Sequence, residues 1–245
     1  MFTPSENNAL DAVTAVLWKQ LLSDLQLIKQ QHPDATFANS LAAEDMVLQH
    51  AIATHGLNIS SFTLDTGRLH KETLALLDVI NSHYGIQVTS LKPNQVKVDQ
   101  HVAEHGAYAF YESLELRKAC CGLRKVEPLR AYLQGKSAWI TGQRREQSQT
   151  RSELQKNEFD SAFQLQKFNP LCDWTLEQVW TVIRTFAIPY NSLHDQNYPS
   201  IGCDPCTRAI RAGEDVRAGR WWWEQRDSIE CGLHQSPTTA TTENT

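Results

Sequence analysis

The sequence predicts an α/β fold with a mostly parallel sheet and helices on both faces. The first observation behind this prediction is that short apolar segments with strand character alternate with longer segments of helical periodicity. The second is that polar turns follow several of the short segments. The third is the length of 245 residues with 41% hydrophobic residues, which is enough to bury one large core. Strands that alternate with helices form right-handed crossovers, and such crossovers produce a parallel sheet.

The predicted elements follow one another from the amino terminus. Apolar residues at helical spacing predict a first helix over about residues 8–31. Strands are predicted at 35–40, 58–65, 86–93 and about 137–142. Further helices are predicted at 43–55, 69–84, roughly 110–134 and 175–187. We expect residues 1–234 to form one domain and the small, polar residues 235–245 to be a disordered tail.

The composition excludes some classes of protein. The formal net charge of −5 argues against nucleic acid as a partner, so any anion site must come from locally gathered lysines and arginines. No apolar run is long enough to span a bilayer, and the first ten residues lack the pattern of a signal peptide. We therefore expect a cytoplasmic protein with no membrane partner, in a compartment that keeps thiols reduced.

Three polar turns lie where predicted strands end. They are NSLAAED (39–45), LDTGR (64–68) and TGQRREQSQTR (141–151). Each turn alone has a conformational explanation, because Ser, Asp, Thr and Gly are common in turns. However, the carboxyl ends of parallel strands share one edge of the sheet, where ligands bind, and exposed N–H groups in such turns bind anions. The coincidence of the three turns therefore favours a ligand site at that edge.

Four of the six cysteines form two pairs. Cys120 and Cys121 are adjacent, and Cys203 and Cys206 form a C-x-x-C. Adjacent cysteines are poor disulfide partners, and four thiolates can hold either zinc or a [4Fe–4S] cluster. In a cluster, two adjacent cysteines can bind two different iron atoms, which modestly favours a cluster over zinc. The alternative is that Cys120 and Cys121 are small buried hydrophobic residues, but lysines and arginines surround them, and this setting suits thiolates better.

The other two cysteines differ in their surroundings. Cys231 lies in ECGLH, close to the predicted tail, three residues before His234. A thiol near a mobile terminus can swing into a site as a nucleophile, but an incidental surface cysteine is an equally good explanation. Cys172 precedes a predicted helix, and packing in the core is the better interpretation of it.

Several stretches resemble a known family in their order and spacing. They include SLAAEDMVL, LDTGRLHKET, CCGLRKVEPL, ITGQRREQSQTR, KFNPLCDWT, YPSIGCDPCTRA, GRWWWE and ECGLH. Over about residues 39–234 the chain is similar to assimilatory adenylylsulfate (APS) reductases, the iron–sulfur branch of the PAPS/APS reductase family. The resemblance implies an adenine-nucleotide α-hydrolase-like fold with a C-terminal segment that carries the nucleophile. SLAAED lacks the glycines of the related pyrophosphatase loop, which argues against ATP pyrophosphate chemistry.

The resemblance also implies roles for individual residues. It implies a [4Fe–4S] cluster held by Cys120, Cys121, Cys203 and Cys206, with Cys231 as the catalytic nucleophile. Thioredoxin is implied as a separate electron donor, and the family is compatible with a homo-oligomer. The candidate substrate-binding residues are Ser40, Asp65, Gly67, Lys125, Arg144, Arg145, Arg151, Arg217, Arg220 and His234.

Electrostatics explains why such a site needs cations. APS carries a phosphate and a sulfate, and an attacking thiolate brings a third negative charge toward them, so nearby lysines and arginines must offset the repulsion. We expect the Cys231 thiolate to displace AMP and form an enzyme S-sulfocysteine, from which a thioredoxin dithiol then releases sulfite.

Other hypotheses remain open. They are PAPS reduction by the same chemistry, a tRNA thiolase, and a nucleotide sensor without enzymatic activity. For the run from Trp221 to Trp223, we expect packing of the C-terminal segment or a docking surface for thioredoxin rather than base stacking.

Overall fold

The computed structural model describes residues 10–148 and 151–224. The helices of the described chain are α1 Ala12–Gln31, α2 Ala43–Thr54, α3 Lys71–Tyr84, α4 Gln95–His105, α5 Leu114–Cys121, α6 Glu127–Leu133 and α7 Leu176–Thr185. The strands are β1 Thr36–Ala38, β2 Ser60–Leu64, β3 Thr89–Leu91, β4 Ala138–Ile140, β5 Asn157–Asp160 and β6 Leu165–Phe168. In the described part of the chain, no helix combines the length and the apolar character that crossing a membrane requires.

The sheet is mostly parallel, as predicted. Its strand order is β3-β2-β1-β4-β6-β5, and only the edge strand β5 runs antiparallel, to β6. Thr36 of β1 is paired with Ser60 of β2 on one side and with Trp139 of β4 on the other. The chain order reverses between β1 and β4, and this switch point opens a crevice beyond the carboxyl ends of the two strands.

Helices cover both faces of the sheet, because neighbouring strand residues point to opposite sides. On β4, Ile140 packs into the larger core with residues of α1, α2, α3 and α7, whereas Trp139 packs on the other face. Leu129 and Leu133 of α6 pack against Trp139 there. The predicted α/β class with helices on both faces is therefore confirmed.

The first helix starts later than predicted. It begins at Ala12, because the Asp11 carboxylate accepts a 2.9 Å hydrogen bond from the Thr14 amide and so caps the helix. Its buried stripe includes Trp18, Leu21 and Leu25, which pack into the larger core. Residues 8 and 9 of the predicted helix and the predicted tail lie outside the described residues.

Three elements escaped prediction, and each lacks the pattern that would reveal it. Helix α4 buries only Val98, so it has no apolar stripe. Strands β5 and β6 are each four residues long and rich in polar side chains. The predicted helix over 110–134 is divided, since a π-helical segment, Gly122–Val126, separates α5 from α6.

Candidate active site

A cavity of about 250 Å³ lies at the carboxyl edge of the sheet. Three successive loops reach it, with Ser40 following β1, Thr66 following β2 and Gly142 following β4. Residues 199–202 and the segment that contains Arg217 and Arg220 also line this cavity. The three turns singled out in the sequence therefore meet at one site, as their positions after parallel strands predicted.

Cationic side chains are concentrated in this cavity. Of the predicted substrate-binding cations, those that line it are Lys125, Arg144, Arg151, Arg217 and Arg220. The charge of Arg144 is already offset, because its Nη2 lies 2.8 Å from a carboxylate oxygen of Glu44 and its Nη1 donates to the carbonyl of Trp174. Arg220 is also buried, and its Nε has no hydrogen-bond partner within the described structure. Such a guanidinium in a cavity wall is suited to bind an anion.

Three other predicted residues lie near the cavity without lining it. Asp65 accepts a 3.0 Å hydrogen bond from the amide of Gly67, which stabilises the turn after β2. Gly67 itself has a φ of +68°, a conformation that favours glycine. Arg145 forms an ion pair with Asp173 and donates to the carbonyl of Leu154. The substrate-binding roles of these three residues stay predictions.

Asp45 is a buried carboxylate at the end of the predicted turn NSLAAED, and the sequence did not indicate a separate role for it. It accepts hydrogen bonds from the Ser40 amide, at 2.7 Å, and from the Ser40 hydroxyl. Gly142 approaches from the other side so closely that a Cβ at this position would lie 2.2 Å from Asp45 Oδ1. Burial raises the pKa of Asp45 to about 7, although the hydrogen bonds from Ser40 oppose this shift.

The raised pKa of Asp45 predicts a pH-dependent stability. Because folding raises this pKa above its ordinary value of 3.8, the native chain holds a proton that the unfolded chain releases at lower pH. The stabilisation is fully present below about pH 4 and is lost as the pH rises through about 7. We expect Asp45→Asn to reduce the fall in Tm between about pH 5 and pH 8, as measured by circular dichroism.

Asp34 provides the control for this prediction. Hydrogen bonds from Ser137 lower its pKa, so its carboxylate stays ionised throughout the same window. Asp34→Asn should therefore leave the difference in Tm between the two pH values unchanged. An equally steep fall in wild-type and Asp45→Asn protein would contradict the assignment of this titration to Asp45.

The four paired cysteines lie together around a smaller, adjacent cavity. Cys120 and Cys121 reach it from the end of α5, and Cys203 and Cys206 reach it from the short 3₁₀ turn Asp204–Cys206. The walls also contain four cationic side chains: Arg68, Arg117, Arg124 and Lys125. Sequence positions more than eighty residues apart are thus brought to one place, and the metal-binding role for which the four cysteines were grouped stays a prediction.

Lys125 and Thr66 connect the two cavities. Lys125 lines both of them. Thr66 lines the larger cavity, and its hydroxyl oxygen lies 3.2 Å from the sulfur of Cys203. A ligand in the larger cavity would therefore be close to the cysteine group. The sequence motif LDTGR contains Thr66, but the spacing alone did not indicate this contact.

The surroundings of Cys120 and Cys206 favour neutral thiols when no metal is bound. Burial raises the pKa of Cys120, and it raises the pKa of Cys206 to about 12. Neighbouring sulfur atoms raise both pKa values further, whereas Arg124 and Lys125 oppose the shift at Cys120 and Cys206, respectively. Within residues 10–148 and 151–224, no group of three or more His, Cys, Asp or Glu side chains is arranged to hold a metal ion.

The remaining two predicted site residues, Cys231 and His234, lie outside the described residues. The description ends at Glu224, next to three tryptophans. Trp221 lines the larger cavity and is buried, while Trp222 is 41% exposed. Trp223 packs against Phe110 and Tyr111. The first and third tryptophans thus pack the end of the described chain onto the body, one of the two roles expected from the sequence.

Comparison with known proteins decides the family. Residues 34–209 match the phosphoadenosine phosphosulfate reductase domain. The chain belongs to this family. An adenosine 5'-phosphosulfate reductase from Burkholderia cepacia is 55% identical over 226 residues, which are 92% of this chain and 90% of the relative. A protein of the same name from Neisseria meningitidis serogroup B is 52% identical over 212 residues, or 86% of each chain.

Solved structures support the reductase-family fold. The phosphoadenylyl-sulfate (PAPS) reductase from Candida auris superposes with a TM-score of 0.66 at 24% identity, covering 84% of this chain and all of that one. FMN adenylyltransferase from Candida glabrata superposes with a TM-score of 0.56 at 12% identity, covering 89% of this chain and 76% of that one. At these identities the likeness concerns the fold alone. It confirms only that the mostly parallel α/β fold is shared with these two proteins.

Proposed function

We propose that this protein is a thioredoxin-dependent adenylyl-sulfate reductase of cytoplasmic sulfate assimilation and cysteine biosynthesis. It reduces adenosine 5'-phosphosulfate (APS) to sulfite and AMP. The observation that carries the proposal is the contact between a cation-lined cavity and a four-cysteine cavity, which share Lys125. The names of the two bacterial relatives, at 55% and 52% identity, support APS as the substrate.

The cationic side chains of the larger cavity suit a ligand with two negative charges. They also suit a reaction in which an anionic nucleophile approaches that ligand. Lys125, Arg217 and Arg220 line this cavity, and Lys125 also lines the cavity of the paired cysteines. Arg144 contributes less, because Glu44 neutralises it within the site. Cations held by the protein offset the repulsion between the thiolate and the substrate without reorganising during the reaction. We assign Lys125, Arg151, Arg217 and Arg220 to the phosphosulfate end of APS, and Ser40 to the same cavity.

The four paired cysteines suit a [4Fe–4S] cluster. Four sulfur donors line one cavity, and thiols whose pKa is raised by burial become thiolates when iron binds them. Cys120, Cys121, Cys203 and Cys206 would hold the cluster, which would supply a fixed charge beside Lys125 and need not supply electrons, since thioredoxin provides both. Arg68, Arg117, Arg124 and Lys125 surround the sulfurs and counter negative charge there. The cysteine pairs thereby hold α5 and the C-x-x-C loop next to Lys125.

The nucleophile in this proposal is Cys231. Its thiolate attacks the sulfur of the sulfate group, the bond from that sulfur to the phosphate oxygen breaks, and AMP leaves with the electron pair. One thiolate of thioredoxin then attacks the Cys231 sulfur and displaces sulfite, and the second resolves the mixed disulfide. The dithiol supplies the two electrons. Cys172 is a poor resolving partner, because its side chain is 1% exposed and lines neither cavity.

Turnover on APS and on PAPS tests the proposal and its nearest alternative. We expect protein purified without oxygen to contain iron and sulfide, and to release sulfite and AMP from APS when reduced thioredoxin is present. On PAPS we expect a kcat/KM lower by about a hundredfold or more. Higher kcat/KM on PAPS would favour PAPS reductase, and ATP-dependent pyrophosphate release without sulfite would place the protein in another class. A homo-oligomeric state stays a prediction, which analytical ultracentrifugation can test.

A further inference from the structure

Arg117 is a buried cation on α5, three residues before Cys120, and it lines the cysteine cavity. Its guanidinium forms a two-contact ion pair with Glu224. Nη2 donates to one carboxylate oxygen at 2.9 Å, and Nε donates to the other. The side chains of Arg117 and Glu224 are 1% and 9% exposed. A bidentate pair of this kind fixes both the distance and the orientation of its partners.

The same guanidinium stacks on Trp221. The Cζ atom of Arg117 lies 4.5 Å from the Trp221 ring centroid, and that of Arg220 lies 4.6 Å from it. The indole is 1% exposed, and Trp221 has a φ of +43°, which is rare for a bulky residue. Such a conformation persists only where surrounding contacts hold it. The amide of Trp221 also donates to the carbonyl of Cys206, at 3.2 Å.

Arg220 is confined from its other side by Gly202. A Cβ at Gly202 would lie 2.4 Å from Nη2 of Arg220, so only glycine leaves room for this guanidinium. Nη1 of Arg220 donates to the carbonyl of Ile201 at 3.2 Å. Arg220 and Trp221 line the larger, cation-lined cavity, which is called the nucleotide cavity from here on because of its proposed function. Arg117 lines the smaller cavity of the paired cysteines, the cysteine cavity. The stack of Arg117, Trp221 and Arg220 therefore connects the two cavities.

We propose that Arg117 is a positioning residue for sulfur transfer. Its ion pair with Glu224 fixes the point from which the chain continues to Cys231, and its stack with Trp221 fixes the guanidinium of Arg220 in the nucleotide cavity. The inference rests on the proposed function, and it adds a residue that touches neither the nucleotide nor the reacting sulfur.

Two physical reasons support this role. Only six residues lie between Glu224 and Cys231 in the sequence, so the ion pair fixes one end of a short connection to the proposed nucleophile. Fixing the start of so short a tether raises the effective concentration of the thiol at the cavity. In addition, Arg117 holds the indole of Trp221, whose ring centroid lies 4.5 Å from Cζ of Arg117 and 4.6 Å from Cζ of Arg220, so the stack restrains the Arg220 guanidinium. The charge of Arg220 then stays directed at an anionic ligand.

The two functions of Arg117 can be separated by substitution. Glu224→Gln removes the charged anchor but keeps the shape of the side chain. We expect it to lower kcat and the single-turnover rate of Cys231 sulfonation by about thirtyfold, with the Kd for AMP changed by less than about threefold. Arg117→Lys keeps a cation for Glu224 but loses the planar stack. We expect it to raise the Kd for AMP and the KM for APS by about tenfold.

A second ion pair in the same part of the chain provides matched controls. Arg208 and Glu214 form a two-contact pair at 2.8 and 3.1 Å, which is about one-third exposed and lines neither cavity. Arg208→Lys and Glu214→Gln should leave kcat, KM and the Kd for AMP within about twofold of wild type. Single-turnover sulfonation of Cys231 is followed by mass spectrometry, AMP binding by calorimetry, and iron content by analysis of each variant.

The outcomes distinguish positioning from simple stabilisation. If Glu224→Gln lowers Tm or iron content but keeps the sulfonation rate per folded, iron-loaded molecule, the pair is structural and the proposal is wrong. Where Glu224→Gln yields no folded protein, Glu224→Asp replaces it. Asp keeps the charge but shortens the anchor, and an unchanged sulfonation rate would overturn the proposal in the same way. Failure of the proposed function itself looks different, because wild-type protein would then release no sulfite from APS.

Discussion

Replacing Cys231 with serine is expected to lower sulfite release from APS by about a thousandfold or more. A serine hydroxyl is a far weaker nucleophile than a thiolate near neutral pH, and no S-sulfocysteine can form without the sulfur. AMP binding should change by less than about twofold, since the cationic walls of the cavity are unaltered. Iron content should also stay unchanged, because the cysteines assigned to the cluster are retained. Sulfite release, calorimetry with AMP, and iron analysis measure the three quantities.

Cys172→Ser is the matched control for the Cys231 substitution. Cys172 is buried, and its sulfur donates to a carboxylate oxygen of Asp173 at 3.4 Å, a contact that a serine hydroxyl can keep. We expect repeated turnover with thioredoxin to continue in this variant. Loss of repeated turnover after one intact sulfonation would instead identify Cys172 as the resolving thiol. Undiminished sulfite release by Cys231→Ser would refute the covalent mechanism.

Replacing Cys203 with serine is expected to remove most of the iron and to lower sulfite release by about a hundredfold or more. Cys203 lies at the junction of the two cavities, with its sulfur next to the Thr66 hydroxyl and its backbone bridged to Leu69. A hydroxyl oxygen is a poor ligand for iron in such a cluster, where thiolate sulfur is the usual donor. Without the proposed cluster, Lys125, which lines both cavities, would lose a fixed neighbour beside the proposed substrate site.

The effect of Cys203→Ser is measured by iron and sulfide analysis, by visible absorbance and by sulfite release, with all steps carried out without oxygen. The Cys172→Ser protein serves again as the control, since it removes a thiol that lines neither cavity. Full activity in wild-type protein that is colourless and free of iron would contradict the role assigned to the four cysteines. Zinc in place of iron, at one equivalent per chain, would favour the structural metal site that the cysteine spacing left open.

Much of the site could be predicted because it depends on local sequence near strand ends. The turns after β1, β2 and β4 were identified from Ser, Asp, Thr and Gly clusters, and all three reach the cavity. Lys125, Arg151, Arg217 and Arg220 were proposed from charge and family resemblance, and they also line it. Arg145, proposed on the same grounds, does not line the cavity and forms an ion pair with Asp173, so its substrate-binding role stays a prediction.

Other features depended on contacts between distant parts of the chain. Asp45 has the sequence position of a helix-terminal acid, yet contact with Ser40 and the close approach of Gly142 make it a buried group with a raised pKa. The division of the 110–134 helix by a π-helical segment is a second example. Periodicity did not indicate it, since the residues on both sides continue to be good helix formers.

The amino-acid sequence by itself determined the α/β class, the positions of the four strands β1 to β4 along the chain, and the resemblance to the family. This was possible because periodicities and short motifs are local properties, which can be identified from neighbouring residues without any tertiary contact. Only the tertiary structure decided that Arg117 and Glu224, 107 positions apart, form a buried ion pair beside Trp221. A buried charge needs a partner of opposite charge, because the protein interior solvates it poorly. Burial itself is created by neighbours that are far apart in sequence, so only the packed chain determines which charges form a buried pair.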